Sequence, residues 1–289
     1  MKKTLALFLA LAPLTSLSAA GGRDIMSAQE RVIEGVRPVA VSVPQDHIAT
    51  SVEIGRVMLD SYGGGAIGTL ITMAMDKKHQ TMTENASTRA DDIAAPLVAA
   101  LAGFDMNALS LSATQAAFDA PEWFAAGPVE LVSDAEGENT ADFAAANPSQ
   151  QLALVTYRYQ LSPDFTQIQV IADIELARSD DLSPIFRQQI ASIVRLDRPS
   201  YVFEENVERW SADDARIARG ALAAAYERLE LVIPLVLELD EDGYDNATDR
   251  SRESALAGPF HGPLLLRDER GPVIWDKDIG FVAVQVAAN

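Results

Sequence analysis

The sequence predicts an α+β fold, with a mainly antiparallel sheet organised on a central hairpin and several packed helices, the longest in the C-terminal half. Three observations predict it. Gln151–Leu176 alternates apolar and polar side chains at period two. The stretches that follow Thr88 and Ser211 repeat apolar residues at helical spacing. Strands and helices are grouped along the chain, which disfavours an all-parallel sheet.

In the first half of the hairpin, Ala153, Val155, Tyr157, Tyr159 and Leu161 share one face; in the second, Ile168, Val170, Ala172, Ile174 and Leu176 do. Pro163 and Asp164 suit the central positions of a tight turn. Both apolar sets meet one core only if paired residue numbers have an odd sum. Pairing Leu161 with Thr166, Tyr159 with Ile168 and Tyr157 with Val170 satisfies this, and both tyrosines read as sheet core.

Upstream, Arg37–Val43 reads as a short strand and Gln45–Asp60 has helical spacing. Thr88–Phe104 is a helix with Asp91 and Asp92 in its first turn, favoured by the helix dipole, and Pro96 either bends it or marks its true first turn. A shorter helix follows at Ser112–Phe118 and a strand at Pro128–Val132. Ser133–Ser149 shows no clear period and reads as an excursion. Beyond the hairpin, Gln188–Leu196 is a strand, and Pro199–Glu208 carries Tyr201 and Phe203 into the longest helix. Ser211 caps that helix, Ile217, Leu222, Tyr226, Leu229 and Ile233 lie on its core stripe, and Pro234 kinks it one turn earlier. Three apolar runs in Pro263–Val286 predict a terminal strand pair.

Residues 1–20 have the form of an export signal: Lys2 and Lys3, an apolar run from Leu5 to Leu14, then Ser18-Ala19-Ala20 before a cut at Gly21. The run is too short to anchor in a bilayer, so the expectation is a periplasmic or secreted protein with no transmembrane anchor after cleavage, and 21–289 as a single domain. Cleavage takes two of the 23 basic residues and none of the 42 acidic ones, leaving a formal charge of −21. Such a charge argues against nucleic acid and anionic lipid and favours a basic partner or a divalent cation. With no cysteine, lipid attachment at a cysteine, disulfides and thiolate chemistry are excluded.

Ser61–Met75 carries no charge. Its Gly63-x-Gly65-x-x-Gly68 matches a dinucleotide fingerprint only formally, because the preceding residues read as helix rather than strand. Gly64 and Gly68 lie one helical turn apart, which suits close helix packing or self-association. The patterns Gly-x-Ser-x-Gly, His-Glu-x-x-His and the phosphate loop are absent, and His47, His79 and His261 are isolated. Glu238–Asp249 resembles an EF-hand-type calcium loop, with Asp240, Asp242 and Tyr244 at positions three, five and seven, Gly243 at the turn and Asp249 at twelve. It departs from the pattern with Glu238 at position one, aspartate rather than glutamate at twelve, and Asp245 at eight. No cofactor is expected, with calcium as the alternative this loop offers.

Tyr62–Gly68, Ala95-Pro96-Leu97, Gly103-Phe104-Asp105, Leu161–Asp164 and Trp210 before a long helix, behind an export signal, together resemble uncharacterised secreted proteins of Gram-negative bacteria. The resemblance implies no activity. The functional expectation is a non-enzymatic envelope protein that binds a partner or aids assembly. The alternatives are a periplasmic hydrolase with dispersed carboxylate or histidine groups and a calcium-dependent structural protein.

Overall fold

A computed structural model describes residues 24–51, 88–133, 138–257 and 260–288. The proposed signal and cleavage site, Ser61–Met75 with Gly64 and Gly68, and His79 lie outside the described residues. The chain is α+β, with helices and one large mixed sheet. In chain order the elements are α1 (Ala28–Arg31), β1 (Arg37–Ser42), β2 (Ala49–Thr50), α2 (88–100), α3 (Met106–Asp119), β3 (Ala126–Leu131), α4 (Glu138–Ala146), β4 (Gln151–Leu161), β5 (Gln167–Arg178) and β6 (Pro184–Arg195). They continue with α5 (Phe203–Leu237), α6 (Glu241–Thr248), β7 (Ser254–Ala257), β8 (Phe260–Asp268), β9 (Gly271–Asp276) and β10 (Gly280–Val286).

The strand order is β3-β1-β4-β5-β6-β10-β9-β8-β7, with β2 paired beside β4. This corrects the expectation of a mainly antiparallel sheet. β1 runs parallel to both β3 and β4, β2 parallel to β4, and β10 parallel to β6. Nor does a central hairpin stand as a unit: β4 and β5 are the first two strands of an antiparallel meander completed by β6. Their register is Leu161↔Ile168, Tyr159↔Val170 and Tyr157↔Ala172. It keeps the parity that puts both apolar sets on one face, but it is displaced by two residues because the connection is longer than a tight two-residue turn.

The alternating burial of β4 and β5 follows from that parity. Tyr157, Leu161, Ile168, Val170, Ala172 and Ile174 are fully buried on the face covered by α2, α3 and α5. The Tyr157 hydroxyl meets Thr114 Oγ1 of α3 at 2.9 Å, and its ring lies 5.1 Å from that of Tyr226 on α5. Burial raises both phenol pKa values, so both rings stay neutral. The other face holds two smaller apolar clusters. Ala191, Ile193, Ile274, Val282 and Val284 pack with Ala255 of β7 at one side, and α4 covers Leu152 and Ala177 at the other. Between them runs a polar ladder that includes the ion pairs Arg158–Asp173 and Arg187–Glu175.

Three further expectations change. Gln45–Ser51 is not helical: Ala49–Thr50 forms β2 against Gln160–Leu161. The excursion at Ser133–Ser149 contains α4, whose alanines favour helix without an obvious stripe. The tail supplies β8, β9 and β10 together with β7 rather than one strand pair.

The long helix starts at Phe203, not Ser211, and its backbone leaves helical geometry just after Ser211, while Pro234 lies inside the helix. Ala212 is extended (ψ 150°), and Asp213, Asp214 and Ala215 have φ of 52°, 59° and 56°. Left-handed residues other than glycine cost about 1–2 kcal/mol each. The break separates a short segment at 203–211 from the long segment that crosses β5 and β6. Buried Val207 and Trp210 hold the first segment, and buried Ala215 and Ala218 start the second.

Candidate functional site

Two places on the surface are built with more care than stability of the core requires, and they lie at opposite ends of the β4–β5 pair. At the first, the chain leaves β6 and returns as α5. The Arg209 guanidinium donates to the carbonyls of Asp197 (2.7 Å) and Arg198 (2.9 Å). Asn206, fully buried, accepts from Ser200 N (2.8 Å) and donates to the carbonyls of Ser200 (3.0 Å) and Asp164 (3.2 Å). The Ser200 hydroxyl accepts from Val202 N (3.0 Å) and donates to Glu205 (2.5 Å). The loop backbone is therefore fixed from several sides.

The same helix segment fixes the β4–β5 turn. Phe165 N donates to Ser162 O at 2.9 Å, so Pro163 and Asp164 do occupy the central turn positions, and Phe165 then takes φ 57°. This left-handed, buried phenylalanine is held by Trp210, whose indole N–H donates to Phe165 O at 2.8 Å. Asp164 Oδ1 accepts from the Ser162 hydroxyl (2.6 Å), the Thr166 hydroxyl (2.9 Å) and Thr166 N (3.2 Å). Burial raises the Asp164 pKa, and these hydrogen bonds outweigh it, so the carboxyl titrates below its usual value.

On this rigid base stand three consecutive apolar residues. Tyr201 is 103% exposed, Val202 47% and Phe203 42%. Single exposed hydrophobic residues are ordinary, whereas a contiguous exposed patch marks contact surfaces. The Phe203 ring leans on Phe165 at 5.6 Å, while Tyr201 touches little. Glu204 and Glu208 are exposed on the adjoining helix turns, while at the helix break Asp214 pairs with Arg219 at 2.8 Å and Asp213 lies 3.9 Å from Arg216. Arg198 lies 3.9 Å from Asp197. The result is an aromatic spur beside an acidic shoulder. Sequence reasoning missed it, because Tyr201 and Phe203 read as ordinary apolar residues on the way into a helix.

No protein-family description matches the chain, and no curated protein matches it. Function therefore has to be argued from the geometry of this molecule.

The residues of the calcium-loop pattern sit in and around a helix. Asp240 is the N-cap of α6, its Oδ1 accepting from Gly243 N at 2.7 Å. Asp242 is exposed in the first turn. Tyr244 packs edge-on against Phe281, with ring centres 6.4 Å apart. Asp249 follows the helix and accepts from Ser251 N (2.8 Å) and the Ser251 hydroxyl (2.9 Å). Eight helical residues separate Asp240 from Asp249, a rise of about 12 Å, so the structure does not bring these carboxylates together. Among the described residues, no three His, Asp or Glu side chains converge as a metal-holding group.

His47 is exposed. His261 lines an open cleft of about 260 Å³ with Arg250, Asp276 and Lys277. The Asp276 carboxylate closes the β9–β10 turn by accepting from Asp278 N (2.9 Å) and Ile279 N (3.3 Å). No helix among the described residues is long and apolar enough to cross a membrane.

Proposed function

We propose that the protein is an exported, non-enzymatic binding protein of the bacterial envelope, and that the Tyr201–Phe203 spur is its contact point with a protein partner. One observation carries the reading: three consecutive apolar side chains are held out from a backbone fixed by Asn206, Arg209 and the Ser200 hydroxyl. A surface that is already ordered loses little entropy on binding, and an aromatic tip supplies contact area with few rotatable bonds. The acidic shoulder and the chain's net negative charge fit a partner with an apolar pocket and a basic rim, and disfavour an anionic membrane surface. The export signal motif at residues 1–20 supports an envelope location.

A photo-crosslinking residue in place of Tyr201, in intact cells, tests this. It should give discrete protein adducts that weaken when Glu204 and Glu208 become lysine, while the same residue in place of exposed Glu241 gives none. Equal labelling at both positions, or none at Tyr201, overturns the docking role. A mature N-terminus other than Gly21 by mass spectrometry overturns the proposed processing.

A further inference from the structure

The second built place lies about 30 Å from the spur, at the opposite end of β4 and β5. It is a concave pocket of about 320 Å³ bounded by Glu30, Ile33, Ser149, Gln151, Arg178 and Asp180, with Ile185 in its wall. That volume is at the small end of ordinary ligand pockets, which begin near about 300 Å³.

Its wall is fixed before any ligand arrives. Arg37 is buried directly behind it, and its Nε donates to Gln151 Oε1 at 2.8 Å. Gln151 Nε2 donates in turn to Glu30 O at 3.1 Å. The other Arg37 nitrogens reach the carbonyls of Trp123 (3.0 Å) and Ile33 (2.9 Å), with longer contacts to Glu30 O and Arg31 O. Among the described residues no carboxylate pairs with Arg37, so a buried positive charge backs the pocket. The Ser149 hydroxyl lies 2.8 Å from that of Ser179.

The rim carries both signs of charge. Arg178 is exposed, its Nη1 lies 3.4 Å from the Ser183 hydroxyl, and Asp181 is near enough to feel its charge. Asp180 is exposed beside it. Ile33 and Ile185 give an apolar wall, and Gln151 and Ser149 a polar one.

We propose that this pocket binds a small aliphatic zwitterion, either a free α-amino acid or a dipeptide whose two termini both reach it. Arg178 takes the carboxylate, Asp180 with Glu30 takes the ammonium, and Ile33 with Ile185 covers the aliphatic side chain. The buried Arg37 charge biases the pocket toward the carboxylate end. This site is independent of the spur and of the partner it docks.

Calorimetric titration of the purified full chain tests it. L-Leucine should bind saturably, with a Kd on the order of 10 µM to 1 mM. N-acetyl-L-leucine lacks the ammonium and L-leucinamide lacks the carboxylate, so each should lose roughly tenfold or more, about 1.4 kcal/mol. Arg178→Gln should abolish the preference for leucine over leucinamide, with an unchanged melting temperature because Arg178 is exposed. Leucyl-leucine distinguishes the sources, since tighter binding than leucine assigns a dipeptide and weaker binding a free amino acid. No saturable heat with any of the four compounds overturns the proposal. So does equal affinity for leucine and both singly charged analogues, or unchanged binding by Arg178→Gln.

Discussion

The two ends of the β4–β5 pair solve one problem in opposite ways. At both, backbone carbonyls of the neighbouring connections need donors. At the Leu161 end, a buried amide and an indole from α5 supply them, and the chain is pushed outward into an apolar spur. At the Gln151 end, a buried guanidinium supplies them, and the chain draws inward around a polar pocket. At the spur end the fully buried anchors are neutral and the Arg209 cation is only half-buried, whereas at the pocket end the fully buried anchor is itself a cation, stacked on Trp123 and Phe124.

If the ends are independent, damage to one should leave the other intact. The largest effect is expected from Trp210→Ala, which removes a fully buried ring and the donor to Phe165 O. A loss of about 3–5 kcal/mol in denaturant titration is expected, with faster amide exchange at 162–167 and 197–203 but not around Gln151. Next is Arg37→Met, which keeps apolar bulk but orphans the carbonyls of Trp123 and Ile33. A loss of about 2–3 kcal/mol should follow, with faster exchange near Gln151 and an unchanged spur. If either substitution loosens both ends equally, the sheet transmits the change and the comparison fails.

A smaller effect sharpens it. The Asp164 pKa is depressed in the folded protein, so its contribution to stability is present above the unfolded value of about 3.9 and is lost as pH falls through the folded value. Asp268 is depressed in the same direction, mainly by the hydrogen bond from Arg228. Asp164→Asn should therefore lower stability at neutral pH and flatten the acid limb of the stability curve. An unchanged slope below about pH 4 would show that the turn carboxyl does not act this way. The smallest effect on stability is expected from Tyr201→Ser, within about 0.5 kcal/mol because the ring is fully exposed. That same change should remove most partner crosslinking, and a loss of folding instead would make Tyr201 structural.

Much of the fold was legible where the signal is local. Period two in β4 and β5 gave the strands, their buried faces and the parity of their register. The displacement by two residues was not legible, because it depends on Phe165 being held left-handed by Trp210 and Asn206, some forty residues later in the chain. The parallel partnerships of β1 with β4 and β10 with β6 left no trace in either strand alone. The helix break at Ala212–Ala215 was half legible: Ser211 read as a cap because helix does restart just after it. At Asp240–Asp249 the residues supported two patterns. Asp240 as a cap followed by acidic Glu241 and Asp242 is also a helix-start signature, and the backbone follows that one. The spur was illegible because hydrophobicity alone does not say which apolar residues are left outside.

The position of β10 bears on how the molecule is made. It is the last strand in chain order among the described residues, yet it lies in the interior of the sheet, between β6 and β9. The hydrogen-bonded path from β7–β9 to the other strands passes through it. While the chain is being synthesised, β6 therefore keeps an open edge, and β7–β9 form a detached patch until Gly280–Val286 emerges. Closing so distant a pairing is slow, and an open edge in the meantime invites pairing with another chain. A nascent protein of this topology is thus exposed to misassembly until its final strand arrives, which makes holding the chain unfolded until then an advantage.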